Sequence, residues 1–226
     1  MNTLTISEKL LLIAHHPDKA RFRIPEVQLK YGLIGALLLE MTLEERLVLE
    51  NNKMVLKNKE IPADPVIKEL TEKMGSQDSP RKIRFWIRRL AQKSARYKWL
   101  RLHGLEKKRV LRIEHRKFLG WIPYRRSTLV NKKLQYDLVR ETRNSIMQQG
   151  ELSNEQLVIL GLVKACRMNN IIGRERSERS MINERLKTIM KENPIAEDVD
   201  RTIRQVQAAI IGAVAASGAA AAGAGR

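Results

Sequence analysis

The sequence predicts a mainly α fold: one globular helical domain spanning residues 1–226, with two small β-hairpins and a flexible Ala/Gly-rich tail at about 218–226. Three observations carry that reading. Hydrophobic residues make up 43% of the chain, enough to build an interior. Apolar residues recur at three- and four-residue spacing in several long windows, with cap residues at their starts. No segment repeats at the periods of solenoid proteins.

The elements follow in order. Thr5 and Glu8 form a capping box that opens a helix through Ile13, and His15-His16-Pro17 ends it. A second helix covers 25–41. Leu29, Leu33, Ala36, Leu37 and Glu40 share one face there, and Gly32 and Gly35 allow a neighbour to approach closely. Residues 47–56 read as a hairpin turning at Asn51-Asn52-Lys53. Asp64-Pro65 starts a helix through Met74, and 75–80 form a loop. Basic helices are expected at 84–90 and 100–117. Residues 118–130 read as an extended hairpin with Arg125-Arg126 at its tip. Helices follow near 132–149, 153–172, 180–192 and 197–216, the last one buried. The Ala- and Gly-rich run 208–225 approaches the length of a membrane span, but its small side chains supply too little transfer energy.

Charge is concentrated rather than spread. The net charge is +18, and residues 81–140 hold twenty Lys and Arg against three acids, while the rest of the chain is nearly balanced. The same segment contains all three tryptophans, Trp86, Trp99 and Trp121. Such a field steers anionic partners. Cations with interfacial aromatics suit an acidic bilayer surface. Cations with stacking aromatics equally suit nucleic acid, with 61–90 as a helix-turn-helix and 118–130 as a wing. For any single aromatic the plainer role is core packing.

Nothing points to catalysis. The chain has no nucleophile elbow, phosphate-binding loop, dinucleotide fingerprint or metalloprotease helix. His15, His16, His103 and His115 are scattered, and no metal or other cofactor is expected. The lone Cys166, in an apolar run, reads as a small buried hydrophobe in a reducing compartment. The opening residues carry no secretory pattern, so a cytoplasmic location is expected.

Three segments carry a resemblance. They are "LTISEKLLLIA" from Leu4, "KYGLIGALLLEMTLEERLVL" from Lys30 and "PADPVI" from Pro62. They resemble the patterns "LT-EELLLLA", "YGL-GALL-EL---GRL" and "PTGDPLLD" of the Golgi phosphoprotein 3 (GPP34) family. The apolar helix near 157–165 and the Ala/Val-rich last helix resemble that family's C-terminal half. The likeness implies a peripheral membrane protein recognising phosphatidylinositol 4-phosphate and, in eukaryotic members, binding the cytosolic tails of membrane-bound glycosyltransferases. The short leading segment suggests a bacterial member. At positions aligned with the family's lipid pocket this chain has Pro25, Ile34 and Leu105, and only Lys108 keeps a charge. The resemblance therefore implies binding to anionic phospholipid surfaces in general, with modest selectivity. Lys107, Lys108, Arg109, Arg112 and Lys30 are the expected headgroup contacts, and Trp121, Tyr124, Arg125 and Arg126 the expected membrane contacts. Nucleic acid is the alternative partner.

Overall fold

The computed structural model describes residues 3–223 apart from 120, 149, 174 and 193–196. Its plan follows from the most apolar part of the chain. Helix α2 (Glu26–Leu43) is buried without a break from Gly32 to Thr42. A helix that is apolar on every side has to be surrounded, and this one is. Around it pack α1 (Ile6–Ala14), strand β1 (Leu47–Glu50), α4 (Ile83–Ala91), α5 (Ser94–Lys107), α7 (Asn154–Ala165) and α10 (Glu197–Gly223). Close approach is possible because α2 lacks side chains where its neighbours come nearest. A Cβ on Gly35 would lie 2.6 Å from Ile210 and 2.8 Å from Val206, and one on Gly32 would overlap the sulfur of Cys166. Cys166 is fully buried, and burial pushes its thiol up to about 12.

The local signals act as read. Thr5 and Glu8 close their capping box, and the Asp64 carboxylate accepts the N–H groups of Val66 and Ile67 at 2.9 Å to start α3 (Pro65–Gly75). β1 pairs antiparallel with β2 (Lys53–Leu56) through the Asn51-Asn52 turn. Both turn residues sit at positive φ, which Asn tolerates better than most residues. In α10, Ile203, Val206, Ile210 and Ala213 are buried as expected of the last helix, which continues to Gly223. Residues 224–226 lie outside those described.

The basic segment departs from expectation. The helix expected over 100–117 stops at Lys107, and Leu111–Phe118 is a strand, β4, paired with β5 (Ile122–Leu129). The stop is a Schellman turn: Val110 N–H bonds the Leu105 carbonyl, Arg109 N–H bonds Glu106, and Arg109 takes φ 59°. Arg125 and Arg126 are therefore not a hairpin tip. They lie within β5 opposite His115 and Glu114, and Leu119 and Trp121 flank the turn. Nor is there a helix-turn-helix at 61–90. Between α3 and α4 the chain adds β3 (Arg81–Lys82) to the edge of β2, longer than the tight turn of that motif. Beyond β5 come α6 (Lys132–Met147), α7, α8 (Asn169–Ile172), α9 (Arg176–Glu192) and α10. The expected 153–172 helix is split into α7 and α8 by Arg167 at φ 51°.

Candidate functional site

The cations of the basic segment divide into two populations. One group is held by carboxylates. Arg101 is buried, donating to Glu40 at 2.6 Å and pairing with Asp64, while Glu40 also accepts from the Ser7 hydroxyl at 2.7 Å. Lys108 reaches back to buried Glu8 at 2.5 Å and to the Thr3 carbonyl at 3.0 Å. Lys93 and Arg96 share Glu69, and Arg116 pairs with Glu114. The second group makes no ion pair among the described residues: Arg81, Lys82, Arg84, Arg88, Arg89, Lys98, Lys107, Arg109, Arg112, Lys117, Arg125 and Arg126. The positive field therefore comes from α4 and from the region where α5 meets the β4–β5 hairpin.

The hairpin is anchored at its base and bare at its end. Leu111, Ile113, Ser127 and Leu129 form the buried face. Glu106 accepts the Ile113 N–H at 2.7 Å, which ties β4 to α5. His15, at the C-terminal end of α1, lies 3.0 Å from the Ser127 hydroxyl and holds β5 from the other side. Burial lowers the pKa of this imidazole. Beyond the His115–Arg125 pair, Arg116, Lys117 and Pro123 are all exposed, so both faces of the hairpin meet solvent. At the turn Leu119 is 71% exposed and Trp121 73%. Ile122 is exposed beside them. Large apolar side chains thus stand at the end of a cationic shaft.

An open cleft of about 400 Å³ lies between the first turns of α2 and the junction of α4 with α5. Lys30 and Lys98 line it, with Ser94 and Ala95 of the first turn of α5 and the Glu26 carboxylate at its α2 side. α5 begins without a side-chain cap or an acidic residue in its first turn, so its leading N–H groups carry uncompensated partial positive charge. The Lys98 ammonium lies 5.9 Å from the rings of Phe22 and Trp99, and the Arg125 guanidinium covers Trp99 at 4.4 Å. Lys30, Lys98, Trp99 and Arg125 therefore run as one band from the cleft to the hairpin.

Of the residues singled out from sequence, Lys107, Arg109 and Arg112 cluster where α5 hands over to β4, and all three are exposed. Tyr124, Arg125 and Arg126 lie along the other strand of that hairpin, with Trp121 at the turn before it, while Lys30 belongs to the cleft. Lys108 is engaged with Glu8 instead. Pro25 precedes α2 as its cap residue, and Ile34 and Leu105 are fully buried, so these two of the aligned positions face the interior. Leu119, Ile122 and Lys98 were not singled out. The first two had a signal, apolar residues beside Trp121 in a basic segment, whereas Lys98 meets Lys30 only through the fold. No metal-holding group of His, Cys, Asp and Glu occurs among the described residues. No helix among them is long and apolar enough to cross a membrane.

Comparison with curated proteins finds no match. Comparison with protein families matches residues 6–206 to Golgi phosphoprotein 3 (GPP34). That span takes in the capped α1, the buried α2, the Asp64 helix start and the basic hairpin, and ends within α10. The chain belongs to the Golgi phosphoprotein 3 (GPP34) family.

Proposed function

We propose that this chain is a peripheral membrane adaptor, located on the cytoplasmic side, that docks on anionic phospholipid through the β4–β5 hairpin and the adjoining cleft. The observation that carries the reading is the exposed Leu119, Trp121 and Ile122 at the end of a hairpin whose Lys117, Arg125 and Arg126 have no carboxylate partner among the described residues. An apolar tip gains by entering the boundary between headgroups and acyl chains, and cations at headgroup level each contribute about 1 kcal/mol on an anionic leaflet. The cleft then supplies a place for one phosphate, between Lys30, Lys98 and the leading N–H groups of α5. Family membership supports an adaptor that binds lipid and protein partners rather than a catalyst, with cytosolic tails of membrane proteins as the protein partners. Phosphatidylinositol 4-phosphate is the headgroup this family recognises.

Apart from the bare Trp121, the described aromatics of the basic segment are poor stacking platforms for single-stranded nucleic acid. Base stacking needs open ring faces. Here arginine lies over Trp99 at 4.4 Å, Tyr124 at 5.2 Å, Phe85 at 5.6 Å and Tyr136 at 5.6 Å. Co-sedimentation with phosphatidylserine vesicles, run beside a DNA-binding assay, tests the reading. Leu119→Ser/Trp121→Ser and Lys107→Glu/Arg109→Glu/Arg112→Glu should each abolish vesicle binding while the fold is retained. Full binding by either variant, or tighter binding to DNA than to vesicles, would refute it.

A further inference from the structure

A second basic hollow borders α4. It is a cup of about 240 Å³ between the C-terminal turn of α3, α4 and the start of α5. It shares only Gln92 with the cleft described above. Its wall supplies Lys73, Arg89 and Lys93, together with Ser76 and Gln77, and no carboxylate. Glu69, the acid that pairs with two of these cations, is already outnumbered: Lys73 lies at 2.9 Å, Lys93 at 3.3 Å and Arg96 at 3.3 Å. Arg89 has no ion pair among the described residues. The last carbonyls of α3 offer partial negative charge at this rim, and the Ser76 hydroxyl covers that of Lys73 at 3.1 Å. Excess cation remains.

Trp86 supplies the independent observation. Its side chain is buried at 2% exposure and forms part of the cup wall, and its indole N–H has no acceptor. A buried tryptophan normally finds a partner for that group, and leaving it unpaired is costly. Trp86 also borders a cleft beside Met54, Leu56, Met74 and Pro80, but that lining holds a single cation, Lys59. Of the two hollows that Trp86 borders, the cup is the one walled by three cations.

We propose that this cup binds a phosphate-sized oxyanion, either free or as the phosphomonoester of a headgroup, with Lys73, Arg89 and Lys93 supplying charge and the Trp86 indole donating to an oxygen. The volume suits this class, being too small for an extended ligand. The site is independent of the hairpin reading, and its test needs no membrane docking through Trp121.

The experiment follows the three indole N–H resonances of ¹⁵N-tryptophan-labelled protein as inorganic phosphate is added against chloride of equal ionic strength. The Trp86 resonance should move downfield and saturate while Trp99 and Trp121 stay in place. Arg89→Gln, a change at an exposed position, should weaken the apparent affinity roughly tenfold. Vesicles containing phosphatidic acid, compared with phosphatidylserine, form the second arm. A Trp86 shift with phosphate assigns a free oxyanion, and a shift only with phosphatidic acid assigns a headgroup. A Trp86 resonance unmoved in both arms, or equal affinity in Arg89→Gln, overturns the proposal.

Discussion

Arg101 and Arg125 belong to the same basic segment and do opposite work. Arg101 is buried between Glu40 and Asp64, joining α5 to α2 and to the start of α3. Arg125 lies on an exposed strand over Trp99, with no carboxylate among the described residues to neutralise it. A buried guanidinium must be paired because its desolvation is otherwise ruinous. An exposed one costs little and keeps its field for a partner. The net charge of +17 over residues 81–140 therefore conflates structural charge with interactive charge. Only the second kind can bind anything.

Breaking the structural side should have the largest effect. Arg101→Ala leaves Glu40 buried without its counter-charge and should cost about 3–5 kcal/mol in denaturant unfolding. Burial already holds the Glu40 carboxyl above its usual range, despite the neighbouring Arg101 charge and the Ser7 hydrogen bonds. A carboxyl raised in the folded state is most stabilising below its unfolded pKa, and that contribution is lost as pH rises through the folded value. Without Arg101 the folded value rises further, so the loss should be smaller at about pH 5 than at about pH 8. Equal losses at both pH values would show that the ion pair does not govern this site.

Lys108 sharpens the comparison because it stands in sequence among the interactive cations and in space with the structural ones. Lys108→Ala should lower stability by about 1–3 kcal/mol, since Glu8 loses a buried partner. Its binding to phosphatidylserine vesicles should stay close to that of the parent protein. A loss of binding with stability intact would move Lys108 to the other side of the division.

Lipid choice gives the next effect in size. With Ile34 and Leu105 buried, the cleft offers two lysines and a helix N-terminus, which are point charges and N–H groups without the bidentate fork of arginine. Preference for phosphatidylinositol 4-phosphate over phosphatidylserine, at matched vesicle charge, should therefore stay under roughly tenfold. A larger preference that survives high salt would mean that the cleft grips the headgroup more closely than its lysines allow.

The smallest effect concerns how helices end here. Glu45, Arg109 and Arg167 all close helices at positive φ, where glycine is the unstrained choice. At Glu45 the family pattern itself has glycine. Glu45→Gly should raise the melting temperature by an amount equivalent to about 0.5–1 kcal/mol, measured by calorimetry. A drop would show that the Glu45 side chain contributes more than its backbone strain costs.

Those helix ends also explain what sequence could and could not reveal. Thr5, Glu8, Asp64 and the unbroken apolar run of α2 are local signals, and each built the element it announced. Strand β4 is hidden in the sequence because Arg109 turns the chain without the glycine that marks a stop, so the Leu102–Leu105 stripe reads on through Val110 and Ile113. In fact Leu111 and Ile113 alternate with Arg112 and Glu114, which is strand periodicity over too few residues to stand out. The pairing of Arg101 with residues 61 and 37 positions earlier has no local signal at all. The same holds for the meeting of Lys30 with Lys98 across the cleft.

The most direct test of the division follows Trp121. Of the three tryptophans, Trp86 is buried, Trp99 is half-buried under Arg125, and Trp121 is 73% exposed. If the hairpin is the membrane contact, phosphatidylserine vesicles should shift the fluorescence emission to the blue, and brominated lipids should quench it. Trp121→Phe should remove both changes without loss of co-sedimentation. Vesicles that sediment the protein yet leave Trp121 emission unshifted and unquenched would place the contact elsewhere and contradict the account.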